Sequence, residues 1–258
     1  MNVPKTENTV PADSNNPVPV IEINNLRKGF SSEDVLTSVS LKLFAGENLV
    51  VLGKSGSGKS VLIKCIVRLL EPDEGSINVL GEDVIALNHN GLGELRKKIG
   101  FLFQSSALYD SMTVKQNLEF PLRRIKRELN QKGRDEKIGE VLENVGLTDA
   151  LHKMPSQLSG GMRKRISLAR TLIVDPMIML YDEPTTGLDP VTSDEISTLI
   201  NDVQKKYKTS SVIITHDIEC ARTTANRIIM LLDGVVYKEG KTVEFEKSND
   251  PTIKSFFK

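Results

Sequence analysis

One eight-residue run has the spacing of a phosphate-binding loop. Residues 53–60 read Gly-Lys-Ser-Gly-Ser-Gly-Lys-Ser and match Gly-x-x-x-x-Gly-Lys-Ser/Thr at each fixed position. The glycines allow successive backbone N–H groups to turn toward an anion, and the positive end of a following helix adds to the attraction. We expect Lys59 to neutralise the outer phosphates of a nucleotide and the Ser60 hydroxyl to be a Mg²⁺ ligand. The predicted nucleotide-contacting residues here are Gly53, Lys54, Ser55, Gly56, Ser57, Gly58, Lys59, Ser60 and Val61.

The flanking sequence supports this interpretation of the loop. An apolar run over residues 49–52 predicts a strand that enters the loop, and a helical pattern of apolar residues leaves it after Ser60. A strand before the motif and a helix after it are what a P-loop nucleotide site requires. The loop alone does not choose among GTPases, kinases, motors and other P-loop NTPases.

The rest of the chain predicts elements that could position such a loop. Short apolar runs at 49–52, 178–181 and 212–215 are typical of buried parallel strands, and strands are also expected from Val20 and near 38–44. Helical spacing follows at 138–145, with Gly146 as the C-terminal cap, and at 196–203, with Asp189 as the N-cap. The dipeptide 233–234, Asp-Gly, predicts a hairpin turn. The alternation predicts an α/β fold with a mostly parallel central sheet.

Composition limits the classes of partner. The 258 residues contain 34 Lys plus Arg and 34 Asp plus Glu, and a zero net charge disfavours a nucleic-acid binder. The charged stretch 122–137 mixes acids with bases and has no aromatics for base stacking, so we predict a solvated helical surface and no nucleic-acid partner. Cys65 and Cys220 are far apart and predict buried thiols in helices.

The N-terminal composition and the length of the apolar runs bear on domain boundaries and on membrane association. Residues 1–19 are rich in Pro, Asn, Ser and Thr, a composition that predicts a flexible tail before a domain spanning 20–258. The sequence has no apolar run near the ~20 residues that a membrane-spanning helix needs. If the protein acts at a membrane, we expect another subunit to hold it there.

Further motifs in a fixed order make the chain, over about residues 20–257, resemble the ATP-binding-cassette (ABC) ATPases. Residues 158–162, Leu-Ser-Gly-Gly-Met, resemble the ABC signature at the start of a helix. The resemblance implies that Ser159, Gly160 and Gly161 face the γ-phosphate held by a second subunit. Small residues at a positive helix end suit that task because they leave backbone N–H groups accessible.

Residues 178–183 resemble the Walker B motif of the same family. The resemblance implies that Asp182 belongs to the Mg²⁺ shell and that Glu183 is the general base for water. Residues 184–189, Pro-Thr-Thr-Gly-Leu-Asp, resemble the D-loop, so Asp189 is expected to reach across a dimer interface.

Three further residues are assigned roles only because they occupy the positions expected from the order of motifs in the family. Gln104, after a predicted strand at 99–103, resembles the Q-loop glutamine that senses Mg²⁺ and couples the site to a partner. His216 resembles the switch histidine at the γ-phosphate, and Phe30 resembles the aromatic residue that stacks on adenine. Glu183, His216 and Gln104 are therefore the predicted catalytic residues, and Ser60, Gln104 and Asp182 the predicted metal ligands.

The resemblance also implies an architecture and an assembly. The expected fold is a P-loop NTPase (RecA-like) core with a mostly parallel sheet, an antiparallel β subdomain and a helical subdomain at about 104–174. Two copies are expected to pair head to tail, each completing the ATP site of the other. A separate integral membrane permease is expected as the partner, which would hold the chain at the cytoplasmic face of the inner membrane.

A finer resemblance points to the MCE-associated (Mla-type) phospholipid transport ATPases. It rests on residues 103–114, 120–122 and 154–156, and on Met162, where many other subfamilies favour Gln. It implies lipid trafficking with an MCE-type lipid-binding partner. An importer or exporter of amino acids, metals or lipoproteins stays open, as do a non-transport ABC ATPase acting on DNA or ribosomes and a stand-alone P-loop enzyme. The last does not explain residues 158–162.

Overall fold

The structure is a computed structural model that describes residues 18–31 and 33–257. The predicted tail at 1–19 lies outside this part except for its last two residues. The strands are β1 (Ile21–Phe30), β2 (Glu33–Leu43), β3 (Asn48–Leu52), β4 (Glu74–Val79), β5 (Glu82–Asp83), β6 (Ile99–Leu102), β7 (Ile178–Asp182), β8 (Ser210–Thr215), β9 (Arg227–Leu232) and β10 (Val235–Gly240). The helices are α1 (Lys59–Ile66), α2 (His89–Lys97), α3 (Val114–Ile125), α4 (Gln131–Asn144), α5 (Gly160–Leu172), α6 (Pro190–Tyr207), α7 (Ile218–Thr224), α8 (Thr242–Glu246) and α9 (Pro251–Phe256).

The strands form one sheet in the order β5-β4-β1-β2-β10-β9-β3-β8-β7-β6. Strands β9, β3, β8, β7 and β6 pair in parallel, whereas β5, β4, β1 and β2 pair antiparallel. The predicted combination of a parallel core with an antiparallel β portion is therefore confirmed. In the parallel half, the carboxyl ends of β3, β7 and β8 share one edge, which brings the segments that follow them together.

The parallel strands are buried on both faces. Along β3, Val50 and Leu52 belong to an apolar cluster with helices α3 to α6, whereas Leu49 and Val51 belong to a second cluster with α1 and α2. All five residues of β3 and of β7 are buried. Burial on both faces explains why these strands read as continuous apolar runs instead of alternating patterns.

Several predicted boundaries agree with the local hydrogen bonding. Asp189 caps α6 by accepting a bond from the Thr192 backbone N–H (3.1 Å), and Pro190 is the first helical residue. Asp233 and Gly234 both have positive φ (49° and 75°), as the tight turn of a two-residue hairpin between β9 and β10 requires. Each regular element between residues 104 and 174 is helical.

Strand β2 begins at Glu33, five residues before the predicted start. Its pairing with β1 shifts register between Ile23 and Leu26, again before Lys28, and again before Gly29. Each irregularity interrupts the alternation of inward and outward side chains, so the first half of β2 lacks a clear period of two. Among the described residues, no helix has the length and apolarity needed to cross a membrane.

Candidate nucleotide-binding site

The loop at 53–60 joins β3 to α1 and has a conformation that depends on glycine. Gly58, the residue before α1, has φ 93°, which an L side chain rarely adopts. A Cβ atom there would lie 2.7 Å from Leu36 Cδ2 and 2.9 Å from the Val35 carbonyl oxygen. The first N–H groups of α1 have no partner within the helix, so they are available to an anion.

Lys59 lies under this loop and is almost fully buried. Its ammonium group donates hydrogen bonds to the carbonyl oxygens of Gly53 (2.8 Å) and Lys54 (3.0 Å). The same nitrogen lies 3.4 Å from Oε1 of Glu183. A buried cation at the start of a helix, beside the N–H groups of its first turn, can neutralise phosphate oxygens.

Ser60 and Asp182 provide an oxygen pair suited to Mg²⁺. The Ser60 hydroxyl donates to Asp182 Oδ1 over 3.0 Å, and Asp182 ends β7 beside the loop. Burial raises the pKa of the Asp182 carboxyl, an effect that the Ser60 hydrogen bond opposes. Two protein oxygens at this position fit a cation that retains several waters and binds phosphate oxygens as well. The described residues contain no cluster of three or more His, Cys, Asp or Glu able to enclose a metal.

Glu183 follows Asp182 and is held from several sides. Its φ is 49°, which is uncommon for a residue with a side chain, and its backbone N–H donates to the Ile214 carbonyl (3.0 Å). Its Oε2 atom lies 2.9 Å from Nδ1 of His216 and accepts a bond from the Thr186 hydroxyl (3.1 Å). A carboxylate fixed at a strand end, with one oxygen oriented by two neighbours, can act as a general base toward a water.

Lys59, Ser60, Glu183 and His216 line one cavity of about 230 Å³, whereas Asp182 does not line it and contacts it through Ser60. The lining residues of the cavity are Val35, Ser55, Gly56, Gly58, Lys59, Ser60, Val61, Gln104, Glu183 and His216. All but Val35 belong to the sequence-predicted site. Phe30 does not line the cavity; the residue is 45% exposed at the end of β1, and the Lys28 ammonium lies 5.4 Å from the centroid of its ring.

Ser159, Gly160, Gly161 and Asp189 form a second, separate group. Ser159 caps α5 by accepting from the Met162 N–H (3.2 Å), and Asp189 also accepts from the Thr192 hydroxyl (2.6 Å). The two caps are neighbours, since a Cβ on Gly161 would lie 2.5 Å from Thr192 Cγ2. None of these four residues lines the cavity of their own chain.

Sequence reasoning missed three residues that support the site. Thr186 bonds Glu183, and the buried Lys164 of α5 donates to the Gln104 carbonyl oxygen (2.8 Å). Burial lowers the pKa of Lys164 to about 8, although the negative charges of Asp182 and Glu183 act to raise it. Val35 follows the antiparallel turn and carries no polar signal. The charged run 163–165 hides the buried Lys164, because such a run usually marks an exposed helix face.

The fold and the site together define a class, the ATP-hydrolysing P-loop cassettes. A family model described as "ABC transporter" matches residues 36–186, more than half of the chain. The chain therefore belongs to the ABC transporter family.

Individual relatives agree with this membership. The "probable ribonucleotide transport ATP-binding protein mkl" of Mycobacterium tuberculosis (strain ATCC 25618 / H37Rv) is 41% identical over 236 residues, 92% of this chain and 66% of that protein. The chain thus spans slightly less than two thirds of that relative. A dimeric ATP-binding cassette solved in a post-hydrolysis state with ADP and Pi superposes with a TM-score of 0.79 and 34% identity, covering 86% of this chain and 98% of its own. The cbiO1 protein of Clostridium perfringens, part of the ABC transporter complex cbiONQ, superposes with a TM-score of 0.80 at 27% identity. The match covers 88% of this chain and 90% of the cbiO1 chain.

Proposed function

We propose that the protein is the ATP-binding and ATP-hydrolysing subunit of an ABC transporter and that it works as a head-to-tail pair. One observation carries this proposal. The cavity is lined by residues of the phosphate loop, by Glu183 and by His216, and Asp182 bonds Ser60 of that lining, whereas Ser159 to Gly161 do not line it on the same chain. A site that contains a base and a phosphate cradle but lacks the signature residues is completed by a second copy.

The residues around the cavity divide the work on the nucleotide. The loop N–H groups and Lys59 bind the phosphates, while Ser60 and Asp182, together with Gln104, would hold Mg²⁺. When bound, Mg²⁺ neutralises charge on the phosphate oxygens. Phe30 lies outside the cavity lining; it is the proposed adenine platform and would stack on the base through its aromatic ring.

Glu183 is the proposed acceptor of the water proton. Its Oε2 contacts His216 and Thr186, so Oε1, which lies 3.4 Å from the Lys59 nitrogen, is the oxygen that would accept the proton of a water near the γ-phosphate. His216 is 52% exposed at its side chain, and it can contact both Glu183 and a phosphate oxygen. Fixing base and water in one geometry lowers the barrier because little reorganisation is needed.

The second copy supplies the remaining electrostatic stabilisation. Ser159, Gly160 and Gly161 begin α5, so their N–H groups and the positive helix end can face a γ-phosphate bound to the opposite subunit. Asp189, held beside them through Thr192, is the proposed contact across the interface. ATP then binds the two copies together, and hydrolysis allows them to separate.

The variant Glu183→Gln tests this function. We expect it to bind ATP with near wild-type affinity, to hydrolyse it at least about 100-fold more slowly, and to form a dimer on adding ATP and Mg²⁺. Light scattering measures the dimer and phosphate release measures turnover. Ordinary turnover in the folded variant would refute the role of Glu183, and a persistently monomeric form would refute ATP-driven pairing.

A separate permease at the cytoplasmic face of the inner membrane is the proposed partner, with phospholipid as the proposed cargo. A surface cavity of about 420 Å³ on the helical portion offers a docking position; Ser111, Met112, Gln116, Glu119, Phe120 and Arg123 line it. Residues 103–114 and 120–122, on which the resemblance to lipid transport ATPases rests, contribute to that cavity. An MCE-type lipid-binding protein is the expected further subunit.

Co-purification from membranes tests the cargo. Recovery of a multispan permease together with an MCE-type protein and bound phospholipid supports lipid trafficking. The similarity to the mycobacterial probable ribonucleotide transport protein makes ribonucleotide transport the second candidate. The lipid assignment is contradicted if the permease is recovered without an MCE-type protein and transports a ribonucleotide, an amino acid, a metal or a lipoprotein.

A further inference from the structure

The first two turns of helix α5 make two kinds of contact. Its N-terminus carries Ser159 to Gly161, the proposed contacts to the partner's nucleotide. One turn further along, Lys164 is 3% exposed and points into its own subunit, where its ammonium donates to the Gln104 carbonyl oxygen (2.8 Å) and to the Glu183 carbonyl oxygen (3.5 Å). One buried side chain thus joins the two segments that carry the predicted metal-sensing glutamine and the predicted base.

A second contact from the same face of α5 reinforces this connection. Ser167, three residues after Lys164 and 1% exposed, donates its hydroxyl hydrogen to the Ser106 carbonyl oxygen. Residues three apart share a helix face, so both side chains meet the loop that begins at Gln104. In that loop Ser106 and Ala107 have φ of 64° and 49°, which side-chain-bearing residues rarely adopt in succession. Such a backbone persists only where its surroundings hold it.

Glu183 needs similar support. Its positive φ places the carboxylate in the cavity, and its backbone carbonyl receives Lys164 and the Thr186 N–H (3.4 Å). The backbone of the proposed base is therefore fixed from β8 on one side and from α5 on the other. A shift of α5 would move both Glu183 and the Gln104 loop.

We propose that Lys164, supported by Ser167, is a positioning residue that transmits closure of α5 against the partner's nucleotide to Gln104 and Glu183 of its own site. The inference rests on the proposed function. It adds a route by which contact with the partner's nucleotide positions the catalytic residues of the chain's own ATP site. Lysine suits this task because its three N–H donors can satisfy two carbonyl groups at once.

Four variants test the inference in the full chain: Lys164→Met, Lys164→Arg, Ser167→Ala and the control Lys132→Met. Methionine keeps the length of the side chain and removes the donors, and Lys132 is an exposed lysine of α4, with its side chain 85% exposed. For Lys164→Met we expect kcat to fall at least about tenfold while KM and ATP affinity change less than about twofold, because the side chain touches the backbone of the site and not the nucleotide. Lys164→Arg should regain part of kcat, Ser167→Ala should lose several-fold, and Lys132→Met should match the wild type.

The outcomes separate this inference from the proposed function. If the wild-type chain hydrolyses no ATP and Glu183→Gln does not pair, the proposed function fails first. If the wild type hydrolyses ATP but Lys164→Met keeps its kcat, or loses affinity and kcat in proportion, only the inference is overturned. Should Lys164→Met not fold, Ser167→Ala decides, and an unchanged kcat there contradicts the proposal. In the Lys164→Met/Glu183→Gln double variant, ATP-driven pairing should survive, and its loss would also contradict a purely transmitting role.

Discussion

The ammonium nitrogen of Lys59 and Oε1 of Glu183 lie 3.4 Å apart, and only 5% and 10% of the two side chains is exposed. Lys59 is the first residue of α1 and Glu183 directly follows β7, so the pair joins the β3–α1 loop to the end of β7. Because water screens this pair little, the two charges stabilise each other more than a surface pair does.

A double-mutant cycle on Lys59→Met and Glu183→Gln should therefore show coupling. Removing only the lysine leaves a buried carboxylate without its cation, whereas removing both charges does not. We expect a coupling free energy of about 0.5–3 kcal/mol in urea unfolding of the nucleotide-free chain. Additive effects of the two substitutions would show that the contact contributes nothing to stability.

Gly161 and Gly160 should respond differently to alanine. A Cβ on Gly161 overlaps Thr192 Cγ2 at 2.5 Å, but a Cβ on Gly160 meets Leu188 Cδ2 at an ordinary 3.5 Å. Gly161→Ala should lower the free energy of unfolding by about 1–3 kcal/mol, as overpacking does. Gly160→Ala should be neutral or stabilise by up to about 1 kcal/mol, since alanine favours the helix. Equal thermal unfolding of the two variants would contradict this close packing of α5 on α6.

The two cysteines should be unreactive in the folded chain. Burial raises the pKa of both Cys65 and Cys220 to about 11, so thiolate is scarce at pH 7.5 and the sulfur atoms are inaccessible. We expect negligible labelling by a maleimide over minutes in the native state and two labels per chain in denaturant. Asn90→Cys, at an exposed position of α2, is the positive control and should add one fast label. Rapid native labelling without that substitution would contradict the burial of these thiols.

The sequence predicted the parallel core because its strands have local signals, and the residues that line the cavity carry local signals as well. Buried strands such as β3 appear as short apolar runs, and the loop at 53–60 carries its chemistry in consecutive residues. The Asp189 cap and the 233–234 turn are also local, and each depends on the backbone geometry of one or two residues.

Other features depend on contacts between distant segments and have no such signal. Lys164 reads as part of a solvated charged face, yet tertiary packing buries it against Gln104 and Glu183. Pro121 lies inside α3, where a proline usually ends a helix, so propensity argues against the observed element. The first residues of β2 could not be predicted as strand, because the irregular register with β1 removes the alternating pattern there. The separation of Ser159, Gly160, Gly161 and Asp189 from the cavity agrees with what the family resemblance implies, but no local pattern of residues shows it.

The most direct test of the account mixes two inactive variants, Lys59→Ala and Ser159→Arg, each verified to be folded. In a head-to-tail pair of unlike copies, one site carries both defects, and the other combines an intact Lys59 with an intact Ser159. Random pairing gives half mixed pairs with one working site of two, so we expect ATP hydrolysis to recover to about a quarter of the wild-type rate. If Ser159 instead serves the nucleotide of its own chain, the mixture stays as inactive as its components, and the central claim fails.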